Sequence, residues 1–457
     1  MKRLIRLTAM FLLLTILITG LAQSADVSSG AQMRGVWVST AYQIDYPTQG
    51  TSEKQLKKQC AEILDEVQAC GLNTVFLQVR PMADAFYPSD LFPWSVYLTG
   101  KVGKSPGFDP LSYWIEQAHQ RGLKLHAWIN PYRISKGAEA EQMFQNLPDS
   151  HPAKQHPDWV VKYDGGYYFD PGIPEVRELI CAGVQEIVSG YDVDGIQFDD
   201  YFYPAPDFDD DDTYRKYGKD FSSVYHWRRD NVNQLVQSVK AITDTKSGCD
   251  FGISPSGIWR NRTSDVRGSD TQGYESYSQC YADAVTWIES GWLDYICPQI
   301  YWNIGFDAAD YRTLAKWWAQ TVKGSDTKLY IGMAAYKAGG VDAQTEWQGC
   351  GEIVRQLDCN AKIAEISGFA LFSDRDLARV DGLTAAVTKY CGEQEKQMQV
   401  KEQVPASDSV IDTLIQTKDG VWERIAAAWS GLKGMIWRES ADTGMKKADR
   451  FGGLLFV

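Results

Sequence analysis

Eight short apolar, β-branched runs recur along this chain of 457 residues, and a segment of helical periodicity follows each one. The runs cover 33–40, 74–80, 123–130, 195–200, 250–256, 295–302, 328–336 and 368–373; the helical segments fall at 53–70, 109–121, 174–190, 220–245, 278–291, 307–323, 345–366 and 376–391. Strict strand–helix alternation predicts parallel strands joined by crossovers, and eight such units predict a closed (β/α)8 TIM barrel of the α/β class. Gly71, Gly122 and Gly291 stand where helices should stop. Helix-to-strand connections are short, whereas the strand-to-helix stretches 81–108 and 131–173 are long. In this fold the long loops mark the face that carries chemistry.

The ends of the strands on that face are therefore informative. The fourth run reads Gly195-Ile196-Gln197-Phe198-Asp199-Asp200, and two adjacent carboxyls at a strand end suit acid/base cleavage of a glycosidic bond. Alternation along a strand puts Gln197 and Asp199 on the inner face, with Asp200 joining them if the strand has already turned. Asp84, after strand 2, is the candidate to complete the pair, or else a salt-bridge partner of Arg80 or Arg133. Gln78, Arg80, His126, Asn130, Tyr132, Arg133, Arg260, Asn261, Gln299 and Tyr301 are the candidates for holding sugar hydroxyls and amides. Trp259 and Trp302 are the candidate stacking platforms. His126 is also the kind of histidine that sits satisfied in an interior.

Composition narrows the ligand class. Aromatic residues make up 12% of the chain, including 16 Trp and 24 Tyr, and flat rings suit the apolar faces of sugars. The formal net charge of −13 argues against a nucleic-acid partner. Met1-Lys2-Arg3 and Arg6 followed by an apolar run from Leu7 to Leu21, with Ala22 and Ser24 before the cut, predict a signal peptide over 1–24 and an exported protein. Cleavage would remove three positive charges and leave the mature chain near −16. Nine cysteines cannot all pair; Cys60 with Cys70 and Cys350 with Cys359 sit at opposite ends of single helices, so most are read as small buried hydrophobes. No C-x-x-C or H-E-x-x-H spacing occurs, and the run Asp207 to Asp212 lacks the glycine and glutamate of a calcium loop, so no metal and no cofactor is expected. Beyond the barrel at 33–391, residues 392–407 read as a polar linker. The 408–457 tail carries Trp422, Ile425, Trp429, Leu432 and Ile436 at helical spacing, a helix for packing on its own domain or contacting a membrane or a partner.

Six stretches carry a resemblance: RGVWVST at 34–40, LQVRPMADAFYPS at 77–89, HAWINPYR at 126–133, DGIQFDDYFYP at 194–204, GISPSGIWRN at 252–261 and YADAVTWIESGWLDYICPQIYW at 281–302. In that order they resemble the glycosyl-hydrolase-like family 10, which includes bacterial envelope enzymes that cut peptidoglycan strands stripped of their peptides. The resemblance covers about 33–391 and puts Asp199 and Asp200 in the strand-4 signature of the family. Arg80, Asp84, Asn130, Arg133, Asp283, Gln299 and Tyr301 fall in its other motifs. Some members are lipoproteins, whereas this signal region has no lipid-accepting cysteine. A more distant similarity is to chitinases, but their catalytic glutamate aligns with Tyr201. The expectation is a secreted glycoside hydrolase acting on envelope polysaccharide, with Asp199, Asp200 and Asp84 as its acids. The competing expectation is a glycan-binding protein on the same barrel without turnover. Metal-dependent deacetylation has no clustered histidine and aspartate ligands to support it.

Overall fold

A computed structural model describes residues 32–48, 52–340 and 344–403. The signal segment 1–24 and the 408–457 tail lie outside the described residues. The barrel strands are β1 (Met33–Val38), β2 (Thr74–Arg80), β3 (Lys124–Ile129), β4 (Gly195–Phe198), β5 (Asp250–Ile253), β6 (Tyr295–Ile296), β7 (Lys328–Met333) and β8 (Ile366–Leu371). All neighbours pair in parallel, in chain order, and β1 closes the ring on β8 with Met33 opposite Gly368. This is the (β/α)8 barrel expected of the repeating pattern.

Period-two alternation divides the core in two. Inward residues form one cluster, Trp37, Phe76, Trp128, Tyr295 and Tyr330 among them, with Trp37 stacked 5.3 Å from Phe76. Outward residues pack against the helices in a larger cluster. Glycine makes room for the interior rings: a Cβ at Gly252 would lie 2.1 Å from the Tyr295 ring.

The helices obey local rules. Ser52 caps Glu53–Ala69 in a capping box with Gln55, and Asp109 caps Pro110–Gln120 with proline in the first turn. The last described helix, Leu383–Gln403, extends into the 392–407 stretch read as a linker. Glu, Gln and Lys are good helix formers, so polar composition there does not mean irregular chain. The compact unit containing the barrel ends at Gly392.

Two loops on the C-terminal face hold structure of their own. The one after β3 folds into an antiparallel sheet of Arg133–Ser135, Gly166–Phe169 and Val160–Tyr163. The acidic run 207–212 is only partly solvated, because Asp210 is buried in an ion pair with Arg228. No cysteine is in a disulfide, and six of the nine are buried.

Candidate active site

β4 ends at Phe198, and the two residues beyond it, Asp199 and Asp200, make the site. Gln197 points inward, accepting from Trp37 Nε1 at 3.3 Å, and Asp199 continues that alternation. The chain turns immediately afterwards, so Asp200 also comes round to the barrel mouth. Asp199 lines a cavity of about 360 Å³. Asp200 lines an adjoining one of about 650 Å³. Tyr42, Arg133, Tyr201, Gln299 and Tyr301 belong to both walls, so the two form one trough.

Asp199 is almost fully buried at 2% exposure, and its Oδ2 accepts from Trp128 Nε1 at 3.0 Å and from Asn130 Nδ2. Asn130 is itself held: its Oδ1 accepts from Gln78 Nε2 at 2.5 Å and from Arg133 Nη2 at 2.9 Å. Gln78 Oε1 then collects Ser39 Oγ at 3.1 Å and the backbone N–H groups of Thr40 and Ala41 at 3.0 and 2.9 Å. One hydrogen-bonded chain thus ties β1, β2, β3 and β4 to a single carboxyl. Asp200 is half-buried and accepts from Gln299 Nε2 at 3.3 Å.

Burial pushes both acids up. Asp199 reaches about 7, with the Arg133 charge opposing and the Asp200 charge adding to the rise. Asp200 reaches about 6, with the Gln299 hydrogen bond opposing. Side chains with this behaviour in a cleft are what proton-transfer chemistry uses. Tyr201, 52% exposed, lies with its ring 5.5 Å from the Arg133 guanidinium. Trp302 lines the wider cavity and Tyr301 both, which gives the trough aromatic walls.

Several candidate residues lie elsewhere, each for a local reason. Asp84 accepts from Met82 N–H at 3.0 Å and lines a cavity of about 880 Å³ that meets the trough at Tyr42 and Lys136 but does not include Asp199 or Asp200. Arg80 shares the parity of Gln78, but a bulge between the two turns it outward, where its guanidinium lies 3.8 Å over the Phe92 ring. It reaches the helix Pro174–Gly190, where a Cβ at Gly183 would fall 2.4 Å from its Nη1. His126 sits two residues below Trp128, bonded through Nδ1 to the Tyr295 hydroxyl at 3.0 Å, and burial lowers its pKa to about 3. It is a neutral core residue. Tyr132 is wholly buried in the outer cluster.

The three residues expected after strand 5 also miss the trough, because β5 stops at Ile253 and the chain turns. Ser254 and Ser256 take the places at the mouth. Trp259 drops into the core, stacked on Trp317 at 5.9 Å and donating to Asp283 at 3.2 Å. Arg260 pairs with Asp265 at 2.6 Å, and Asn261 staples its loop through Glu275 and Gly273. Asp283 caps a short helix, bonding Thr286 Oγ1 at 2.8 Å.

Tyr42, Trp128, Lys136 and Lys337 are among the trough residues that sequence reasoning does not single out. Trp128 carries a usable signal, being two residues before Asn130 on the same face. Tyr42, in left-handed backbone at φ 55°, donates its hydroxyl to the Lys136 carbonyl at 3.0 Å across the top of the trough. Among the described residues, no group of three His, Cys, Asp or Glu is placed to hold a metal ion.

Comparison with known proteins gives a consistent picture. Residues 32–349 match the family described as Glycosyl hydrolase-like 10. The chain is 46% identical over 361 residues to glycosyl hydrolase YngK of Bacillus subtilis, covering 77% of this chain and 70% of that protein. It is 45% identical over 368 residues to glycosyl hydrolase DigH of Escherichia coli, covering 76% and 84%. Among solved structures, the PgaB (BpsB) glycoside hydrolase domain of Bordetella bronchiseptica superposes with a TM-score of 0.54 at 14% identity, over 78% of this chain and 98% of that one. An α-L-fucosidase isoenzyme of Paenibacillus thiaminolyticus gives 0.50 at 15% identity, over 80% and 49%. At such identities these two speak for the barrel alone. The family match and the two relatives settle the affiliation: the chain belongs to the glycosyl hydrolase-like 10 family.

Proposed function

We propose that this protein is an exported glycoside hydrolase that cleaves the glycan backbone of the cell envelope, above all peptidoglycan strands lacking stem peptides. The observation that carries the reading is the carboxyl pair Asp199 and Asp200 on two adjoining cavities with shared walls. A sugar chain lying along the trough passes both acids. Asp199 delivers the proton to the leaving oxygen: its Oδ2 is occupied by Trp128 and Asn130, Oδ1 takes only a long contact from Tyr201 N–H at 3.5 Å and can carry the proton, and its pKa lies near neutrality. Asp200 acts ionised from the anomeric side. Asp84 lines the adjoining cavity beyond Tyr42 and Lys136 and not the walls around the two acids, and we assign it neither step. The peptide-free substrate is what the family resemblance implies, and export follows from the character of residues 1–24.

The test is digestion of peptide-stripped sacculi, with new reducing ends and product masses measured. Wild type should release oligosaccharides, and Asp199→Asn and Asp200→Asn should each lose roughly a hundredfold or more of the rate. Equal release by both variants removes these residues from the mechanism. Binding without release by wild type, on every glycan tried, makes the protein a lectin on a hydrolase barrel.

A further inference from the structure

We propose that the cavity beside Asp200 grips a carboxylate carried by one sugar of the glycan, and that Lys136 and Lys337 are the groups that read it. The inference rests on the hydrolase reading and goes beyond it only in naming the residues that would read a free carboxyl on the glycan.

The chain has 59 acidic against 46 basic side chains, and among the described residues many lysines still stand outside ion pairs, so what matters is where such cations gather on one cavity wall. Lys57, Lys58, Lys162, Lys240, Lys246 and Lys323 all stand in ion pairs. Three cations line the 650 Å³ cavity: Arg133, Lys136 and Lys337. Among the described residues none of the three makes a salt bridge. Arg133 spends Nε and Nη2 on neutral acceptors, the Pro81 carbonyl at 3.0 and 2.8 Å and Asn130 Oδ1 at 2.9 Å. Lys337 Nζ donates to the Tyr301 carbonyl at 2.6 Å, which parks the ammonium on the cavity wall. The backbone of Lys136 is fixed by the Tyr42 hydroxyl at 3.0 Å.

Among the described residues neither lysine forms an ion pair with Asp199 or Asp200, and Arg133 is the cation that bears most on Asp199. Burial without a compensating charge lowers the Lys337 pKa, which an arriving anion would reverse. Two point-charge donors and a guanidinium edge around one cavity suit a carboxylate on a flexible arm. Such an arm is anionic when free and neutral when its carboxyl is tied up in an amide. The same two lysines would therefore favour glycan whose peptide has been removed over glycan that still carries it.

The experiment compares three substrates: peptide-free glycan, the same glycan with its carboxyls reduced to alcohols, and neutral N-acetylglucosamine oligomers. Wild type should lose about tenfold or more in kcat/KM, mainly through KM, when the carboxyls are reduced. Lys337→Met and the Lys136→Met/Lys337→Met double variant should lose the same factor on acidic glycan and become indifferent to reduction, while Lys337→Arg keeps the preference. Equal wild-type kinetics on acidic and reduced glycan overturn the inference and leave the hydrolase reading standing. If wild type cleaves nothing, the hydrolase reading fails, and calorimetry decides the inference alone: tighter binding of acidic than of reduced glycan supports it, and equal binding overturns it.

Discussion

Asp199 and Asp200 are consecutive, and both are pushed far from their ordinary ionisation, to about 7 and about 6. Each ionisation raises the cost of the other, so the pair loses its protons in two steps. If Asp199 must be protonated and Asp200 ionised, hydrolysis falls as pH rises through about 7 and falls again as pH drops below about 6. A kcat/KM profile flat from about pH 5 to about pH 9 would reject that assignment. On the alkaline side stability falls together with activity. A carboxyl whose folded pKa is raised stabilises the fold only while protonated, and that contribution is lost as pH rises through the folded value. Asp199→Asn keeps an oxygen for Trp128 and Asn130 and removes the buried charge. It should raise stability by something on the order of 2 kcal/mol near pH 8 and add nothing near pH 4, read from denaturant midpoints at the two pH values.

At the scale of strands and loops, alternation does most of the positioning. The inward placement of Gln78, Asn130, Gln197, Asp199 and Gln299 follows from period two, and those positions are legible in the sequence. Strand ends are not. The repeat gives no sign that β5 stops at Ile253, so it aims Trp259, Arg260 and Asn261 at the mouth that Ser254 and Ser256 occupy. Nor does it announce the bulge that turns Arg80 outward, since a bulge depends on the pairing of β2 with β3. Tyr42, Lys136 and Lys337 come from loops, where no period exists to read. Arg80→Met, with the side chain outside the barrel on Phe92, should leave KM for glycan unchanged. Gln78→Leu removes the acceptor shared by Ser39, Thr40 and Ala41 and the donor to Asn130. It should cost about 1–3 kcal/mol of stability and lower kcat more than KM, because the hold on Asp199 loosens. A rise in KM for Arg80→Met with kcat preserved would put the guanidinium back in contact with substrate.

Across the whole molecule, reactivity and packing are kept apart. The interior rings from Phe76 to Tyr330 plug the barrel beneath the acids, and the trough lies above them among the long loops of the C-terminal face. The outer cluster, where the helices cover the strands, carries the folding energy. Trp259 tests that separation because it sits within a sequence motif of the family and yet belongs wholly to the packing, at 0% exposure against Trp317 and Tyr277. Trp259→Ala should destabilise by about 3–5 kcal/mol, as large-to-small changes of buried tryptophan do. The fraction that remains folded should still cleave glycan with near wild-type kcat and KM, measured below the unfolding transition with the folded fraction determined by near-ultraviolet circular dichroism. A selective rise in KM at unchanged stability would mean that the ring reaches sugar after all. In that event the loop from Ser254 to Asp283 would have to open on binding, since nothing short of that brings Trp259 from the core to the trough.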